Sequence, residues 1–166
     1  MHFSRTLCDD ARCYGSKIKK EIIMKKILLY LLFASFTYGV TETCPIMKDE
    51  ENDPEETTEV LGKKFTFCCG TCVTKFEENT AYYIKAIPEL QKRFTKEELT
   101  KLGVDDVKLL EQRYCPIYPE RIVNPNSKTV EHNGKTIYLW SSSAARRWKR
   151  DADKYYQEAV KAGILK

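Results

Sequence analysis

Histidine is scarce in this chain: only His2 and His132 occur among its 166 residues. A hydrolytic nucleophile normally needs a histidine partner, and no Gly-x-Ser-x-Gly elbow surrounds Ser141-Ser142-Ser143. The triple serine therefore predicts a helix cap and not a nucleophile. His132 precedes an Asn-Gly turn, which favours a surface residue over a metal ligand. We expect a protein that is not an enzyme, with thiol redox chemistry as the one enzymatic alternative.

The body of the chain also lacks an excess of either charge. Seven of the 28 basic residues and three of the 24 acidic residues lie within residues 1–39, which leaves 21 of each sign in the remainder. A protein that follows a phosphate backbone needs a concentrated basic face. The charge balance therefore argues against nucleic acid as a partner.

A hydrophobic run long enough to span a membrane, about 20 residues, is missing as well. A basic start at Met24-Lys25-Lys26 is followed by about ten apolar residues and then by the small-x-small pattern Thr37-Tyr38-Gly39. This arrangement predicts a signal peptide from Met24 to Gly39, with residues 1–23 as an upstream extension. An uncleaved anchor is the alternative. We expect a periplasmic or secreted protein with no stable membrane span after cleavage.

The segment that follows is strongly acidic, with eight Asp or Glu and a single Lys between Val40 and Val60. Its densest part, residues 49–56, predicts a solvated loop that keeps the protein soluble. Electrostatic attraction of cations by this segment is the alternative interpretation.

The middle of the chain, residues 88–114, predicts a helical connector. Thr95 and Glu98 have the spacing of a capping box, in which two side chains satisfy backbone donors, and Gly103 fits a helix stop. A second helix is predicted over residues 107–113, before Pro116.

An ordered set of matches relates the two ends of the connector. At an offset of 72 residues, Gly62-Lys63-Lys64-Phe65-Thr66-Phe67 matches Gly134-Lys135-Thr136-Ile137-Tyr138-Leu139, Phe76 matches Trp148 and Tyr83 matches Tyr155. With one residue of slippage, Cys44-Pro45-Ile46 matches Cys115-Pro116-Ile117. The alternating apolar residues of the first match predict a strand in each half. We therefore predict a module present twice, as a first copy in residues 40–87 and a second copy in residues 115–166.

The two copies differ in their sulfur. Where the first copy has Cys68-Cys69-Gly70-Thr71-Cys72, the second has Trp140-Ser141-Ser142-Ser143-Ala144. Because the apolar pattern persists without these cysteines, we expect packing to fold the module and the cysteines to serve chemistry.

Converging thiolates bind soft metal ions such as Zn²⁺ and Cu(I). We predict that Cys44, Cys68 and Cys72 bind a transition metal ion, with Met47 or Cys69 as the fourth ligand. A set that includes the Met47 thioether suits Cu(I) better than Zn²⁺. A strand end that leads into a helix start also favours thiolates.

The Cys-Pro-Ile-Met entry, the Gly-Lys strand with its Cys-Cys-Gly-Thr-Cys end, and Phe76 with Tyr83 together resemble the YHS/TRASH class of small treble-clef-like modules. The resemblance covers residues 44–87, and residues 115–158 only as a frame. It implies metal-binding roles for Cys44, Cys68 and Cys72 and a task in the trafficking, sensing or resistance of heavy metals.

The predicted fold is α+β, with two small treble-clef-like modules, each a β-hairpin plus a helix, joined by the helical connector. The predicted function is the sequestration, delivery or sensing of copper or zinc, with another metal-handling protein as a partner for delivery. Three alternatives stay open. The five cysteines beyond residue 39 could form disulfides in an interaction module, although their odd number leaves one over. Cys69-Gly70-Thr71-Cys72 could serve a thiol oxidoreductase, or the metal could be purely structural in an interaction domain.

Overall fold

The computed structural model describes residues 43–166. The predicted signal peptide, Met24 to Gly39, lies outside the described residues. Across residues 43–166, none of the helices has both the length and the apolar character that crossing a bilayer would take.

The fold class is α+β, as the sequence predicts. The described residues contain two antiparallel two-stranded sheets and six helices. In chain order the elements are β1 (Asp53–Val60), β2 (Lys63–Phe67), α1 (Gly70–Glu78), α2 (Thr80–Ala86), α3 (Pro88–Gln91), α4 (Lys96–Lys101), β3 (Lys128–His132), β4 (Lys135–Leu139), α5 (Ser142–Trp148) and α6 (Ala152–Lys161). The order hairpin, helix, helix thus occurs in both copies.

Each hairpin closes through a two-residue turn with positive φ at both positions. The φ angles are 50° at Leu61 and 75° at Gly62 in the first hairpin, and 51° at Asn133 and 72° at Gly134 in the second. This turn matches the right-handed twist of the strands. Asparagine and glycine adopt positive φ readily, whereas leucine does so at a cost. The first copy therefore carries local strain that the second avoids.

Aromatic packing joins strand to helix in the first copy. Phe65 and Phe67 alternate on the buried face of β2, and their ring centroids lie 5.4 and 5.1 Å from that of Phe76 in α1. The second copy buries Ile137 and Leu139 at the matched strand positions and Trp148 in α5. The predicted alternation is confirmed, and in each copy the buried strand residues lie close to the helix that follows.

The match between the Cys-Pro-Ile segments extends to their backbone. We call residues 44–50 and 115–121 the two entry turns. The Cys44 N–H donates to the Glu50 carbonyl at 2.8 Å, and the Cys115 N–H donates to the Arg121 carbonyl at 3.0 Å. The two turns also touch each other, because Met47 forms an isolated antiparallel bridge with Arg121.

The helix predicted over residues 107–113 is wrong, because this segment is irregular and forms neither helix nor strand. The Gln112 amide receives the Tyr138 N–H at 2.9 Å and donates to the Tyr138 carbonyl at 2.6 Å, at the edge of β4. Arg113 donates to the Ala86 carbonyl at 2.8 Å. A short helix has little stability of its own, so these tertiary hydrogen bonds decide the conformation. The connector keeps only α3 and α4 as helices.

Other local predictions for the connector are confirmed. Thr95 and Glu98 form a complete capping box at the start of α4. Gly103 has a φ of 68° just beyond the end of that helix, as a glycine stop requires.

The acidic run predicted as a loop over residues 49–56 is partly a strand, since β1 begins at Asp53. Strand pairing uses backbone groups, and Asp53 and Glu55 leave their side chains exposed. The charged side chains are therefore exposed to solvent, as predicted, although the backbone forms a strand.

His132 is not the surface residue that the turn suggested. Its side chain is 11% exposed, and its ring lies 4.9 Å from that of Tyr156 and 5.6 Å from that of Trp148 between centroids. The serine prediction is confirmed: the Ser141 hydroxyl accepts the Ala144 N–H at 3.2 Å and caps α5.

Candidate metal centre

Three cysteines from separate parts of the first copy meet at one point. Cys44 comes from the entry turn, Cys68 from the end of β2 and Cys72 from the first turn of α1. Their sulfur atoms all lie within 4.8 Å of one another, and the Cys68 and Cys72 sulfurs are 3.6 Å apart. A tetrahedral ion with metal–sulfur bonds of about 2.3 Å holds its ligand sulfurs about 3.8 Å apart. The spacing is therefore close to that of a metal site.

The aromatic frame explains this meeting. Phe67 and Phe76 fix the end of β2 against α1, and the helix begins only two residues after Cys68. The Cys69 carbonyl accepts the Cys72 N–H at 2.9 Å, which tightens the first turn. Cys72 consequently points back toward the strand end and not toward solvent, and its side chain is fully buried.

Cys44 is placed to carry negative charge. A hydrogen bond from the Cys72 thiol lowers the pKa of Cys44 to about 5, despite the opposing effect of burial. Backbone N–H groups of Cys68, Met47 and Ile46 act in the same direction as that thiol. Hydrogen bonds to a thiolate stabilise its charged form. Of the three cysteines, Cys44 is therefore the one whose surroundings favour the thiolate form.

The other two thiols hold their protons. Burial is the main cause that raises the pKa of Cys68 to about 12, and the negative charge on Cys44 adds to it. The pKa of Cys72 is also raised, first by its hydrogen bond to Cys44 and then by burial. Three adjacent thiolates repel one another, so without a cation the repulsion is relieved by protonation, and a bound cation would displace these protons.

Both predicted fourth ligands contact this set. The Met47 sulfur is 3.9 Å from the Cys68 sulfur, and Met47 is buried at 8% exposure. The Cys69 sulfur lies 3.7 Å from that of Cys68 and 3.8 Å from that of Cys72, and Cys69 is half-buried.

Cys115, which the sequence left without a role, does not join the cluster. Its sulfur accepts the Trp140 N–H at 3.4 Å within the second copy. Burial raises the pKa of the Cys115 thiol, against hydrogen bonds from the N–H groups of Trp140, Ile117 and Tyr118. These three positions match the donors around Cys44. The second copy thus keeps the backbone cradle of the site and has no further sulfur beside it.

Sequence reasoning missed Lys75, which lies one helical turn after Cys72. Burial lowers the pKa of Lys75, whereas the smaller effects of Glu78 and then Cys72 favour its charged form. Its ammonium group lies 4.7 Å from the centroid of the Trp140 ring. The signal was available, because residues three apart on a helix share a face and Lys75 follows Cys72 by three.

All five cysteines in residues 43–166 are free thiols. The Cys69 and Cys72 sulfurs, at 3.8 Å, are in contact without the bond of about 2.05 Å that a disulfide requires. The disulfide and oxidoreductase alternatives stay predictions.

In comparisons with known proteins, no family model, curated protein or solved structure matches this chain. The resemblance to YHS/TRASH modules therefore stays a prediction that rests on the motif residues. The metal site is inferred from the geometry of the cysteines.

Proposed function

We propose that this protein binds one soft transition metal ion, Cu(I) or Zn²⁺, through Cys44, Cys68 and Cys72. The observation that carries the proposal is the convergence of three sulfurs within 4.8 Å from an entry turn, a strand end and a helix start. Sulfur atoms from three separate elements at this spacing are the usual arrangement of thiolate ligands around a soft cation.

The second copy supports a chemical role for these sulfurs. It builds the same hairpin and helix with Trp140 and Ala144 in place of Cys68 and Cys72, and both replacements are buried. The second copy therefore forms its hairpin and helix without sulfur at these positions. This favours a functional metal over one needed only for folding.

The surroundings favour Cu(I) as the ion. Cu(I) accepts soft ligands, including thioethers, and the buried Met47 sulfur lies next to Cys68. Zn²⁺ prefers four strong ligands and would draw in Cys69. Together with the predicted signal peptide, the site supports metal sequestration, delivery or sensing outside the cytoplasm, with another metal-handling protein as the recipient in delivery.

The test is metal binding by the full chain, purified under reducing conditions and titrated separately with Cu(I) and Zn²⁺. We expect about one equivalent of ion for the three thiolates, lost in the double variant Cys68→Ser/Cys72→Ser. Cys115→Ser is the matched control, since it removes the one cysteine within residues 43–166 that lies outside the cluster, and it should keep the ion.

A protein that takes up neither ion and is isolated with its cysteines oxidised would overturn the proposal. That result would instead favour the disulfide-stabilised interaction module. Loss of the ion in Cys115→Ser with a retained fold would move the site away from the first copy.

A further inference from the structure

Cys69 and Ser141 occupy matched positions before a helix, and they differ in what their side chains do. Both have extended backbone geometry, with φ and ψ of −168° and 160° at Cys69 and −155° and 170° at Ser141. The Ser141 hydroxyl caps α5, whereas the Cys69 side chain makes no capping hydrogen bond to α1. A capping residue stabilises a helix, so the first copy gives up this stabilisation at Cys69.

The Cys69 sulfur is instead turned toward the cluster. It contacts the Cys68 sulfur at 3.7 Å and the Cys72 sulfur at 3.8 Å. Cys44 and Cys72 have no exposed surface, while Cys68 and Cys69 remain partly exposed. Of these two, Cys69 is the one that the candidate ligand set does not use, and both solvent and the buried Cys72 sulfur can reach it.

We propose that Cys69 is an exchange thiol, which passes the metal ion between external thiolate ligands and the site formed by Cys44, Cys68 and Cys72. This inference rests on the proposed metal binding and adds the route by which the ion enters and leaves. The external partner is any thiol carrier of the ion, either a small thiol or a cysteine of a delivery protein.

The exchange is a series of ligand substitutions. On entry, the Cys69 sulfur bonds to the ion and releases its proton, while one carrier thiolate leaves the ion and takes up a proton. The ion then bonds to Cys68 and Cys72, whose protons go to solvent, and to the Cys44 thiolate. As the remaining carrier ligand departs, the Cys69–metal bond breaks and Cys69 is reprotonated. The charge of the ion does not change, so no oxidant or reductant is needed.

The contacts of Cys69 suit a transient ligand. Its sulfur touches two of the three candidate ligands, Cys68 and Cys72, so an ion that binds first to Cys69 has little distance to move to reach them. Its partial exposure leaves it open to an external thiol at the same time.

The test compares Cys69→Ser with the wild-type full chain, each loaded with one equivalent of Cu(I). Bicinchoninate serves as a coloured acceptor, and the transfer rate is measured with and without glutathione. We expect the glutathione-dependent rate to fall about tenfold or more in the variant, while the affinity for Cu(I) changes by less than about threefold, because Cys44, Cys68 and Cys72 remain as ligands.

Two further variants separate exchange from helix capping. Cys69→Ala offers no cap and should lose the same rate as Cys69→Ser, whereas Ser141→Cys alters the matched cap in the second copy and should leave the rate unchanged. The comparison is made with Cu(I), because Zn²⁺ would take Cys69 as a fourth ligand.

Three outcomes would overturn the inference. An unchanged glutathione-dependent rate in Cys69→Ser would show that Cys69 takes no part in exchange. A large loss of affinity with faster release of the ion would make Cys69 a permanent ligand. Both results leave the proposed metal binding intact, whereas a wild-type chain that binds neither ion would overturn the proposed function and this inference with it.

Discussion

The first and second copies of the module have the same frame and different chemistry. Both have a hairpin with a positive-φ turn, an entry turn closed by the same backbone hydrogen bond, and a buried aromatic residue on the first helix. Only the first gathers sulfur at the junction of strand and helix. The comparison teaches that apolar packing determines this fold and that the cysteines are an addition to it.

The copies also differ in charge. Residues 43–87 carry nine acidic and five basic residues, whereas residues 115–166 carry five acidic and ten basic residues. The neutral balance of the whole body therefore hides an acidic half and a basic half. A negative field around the first copy raises the local concentration of cations, which suits the copy that has the thiols.

The largest expected difference between the copies is the effect of pH on metal affinity, because only the first copy is expected to bind an ion. Between about pH 6 and 8, Cys44 is a thiolate, with its pKa lowered to about 5, while Cys68, with its pKa raised to about 12, and Cys72 are protonated. Metal binding then releases two protons, so the affinity should fall about 100-fold for each pH unit of acidification.

The measurement is a competition titration of the full chain against a chelator of known affinity at several pH values. The sign is fixed by the protons: raised pKa values at Cys68 and Cys72 make lower pH oppose binding. Below about pH 5, Cys44 also takes up a proton and the dependence should steepen. A slope of one proton or none would contradict the thiol assignment. Cys115→Ser should reproduce the wild-type slope.

A smaller effect is expected from exchanging the turn residues of the two hairpins. Leu61 is 37% exposed and has a φ of 50°, so Leu61→Asn should remove backbone strain and lose little buried area. We expect the free energy of unfolding to rise by about 1 kcal/mol, measured by chemical denaturation of the reduced protein.

The reverse change, Asn133→Leu, is the matched control in the second copy and should lower the free energy of unfolding by a similar amount. Metal affinity should not change in either variant, because each turn lies at the opposite end of its hairpin from the junction with the following helix. If Leu61→Asn destabilised the protein, the two turns would not be equivalent.

The frame was largely predictable from the sequence, because its signals are local. Alternating Phe65 and Phe67 predicted a buried strand face, and Thr95 with Glu98 predicted a capping box. The internal repeat gave each prediction a second test, since the pattern at Phe65 could be checked at the matched position, Ile137. Local signals of this kind survive because tertiary contacts agree with them.

The site was predictable in its residues and not in its geometry. Spacing along the chain brought Cys68 near Cys72, but it could not show that Cys69 falls outside the set that includes Cys44. It also could not place Cys115, whose position depends on contacts with Trp140, 25 residues away.

The irregular segment over residues 107–113 was missed for a related reason. Its sequence favours a helix, and the hydrogen bonds that hold it in place join it to Tyr138 and Ala86, far away in the chain. Such long-range contacts leave no periodic pattern, so local propensity gives the wrong answer.

The most direct test of the account is X-ray absorption spectroscopy of the full chain loaded with one equivalent of Zn²⁺. We predict a first coordination shell with at least three sulfur atoms at about 2.3 Å, unchanged in Cys115→Ser. A shell made mainly of oxygen and nitrogen atoms, or a sulfur shell that depends on Cys115, would contradict the claim that the first copy alone holds the ion.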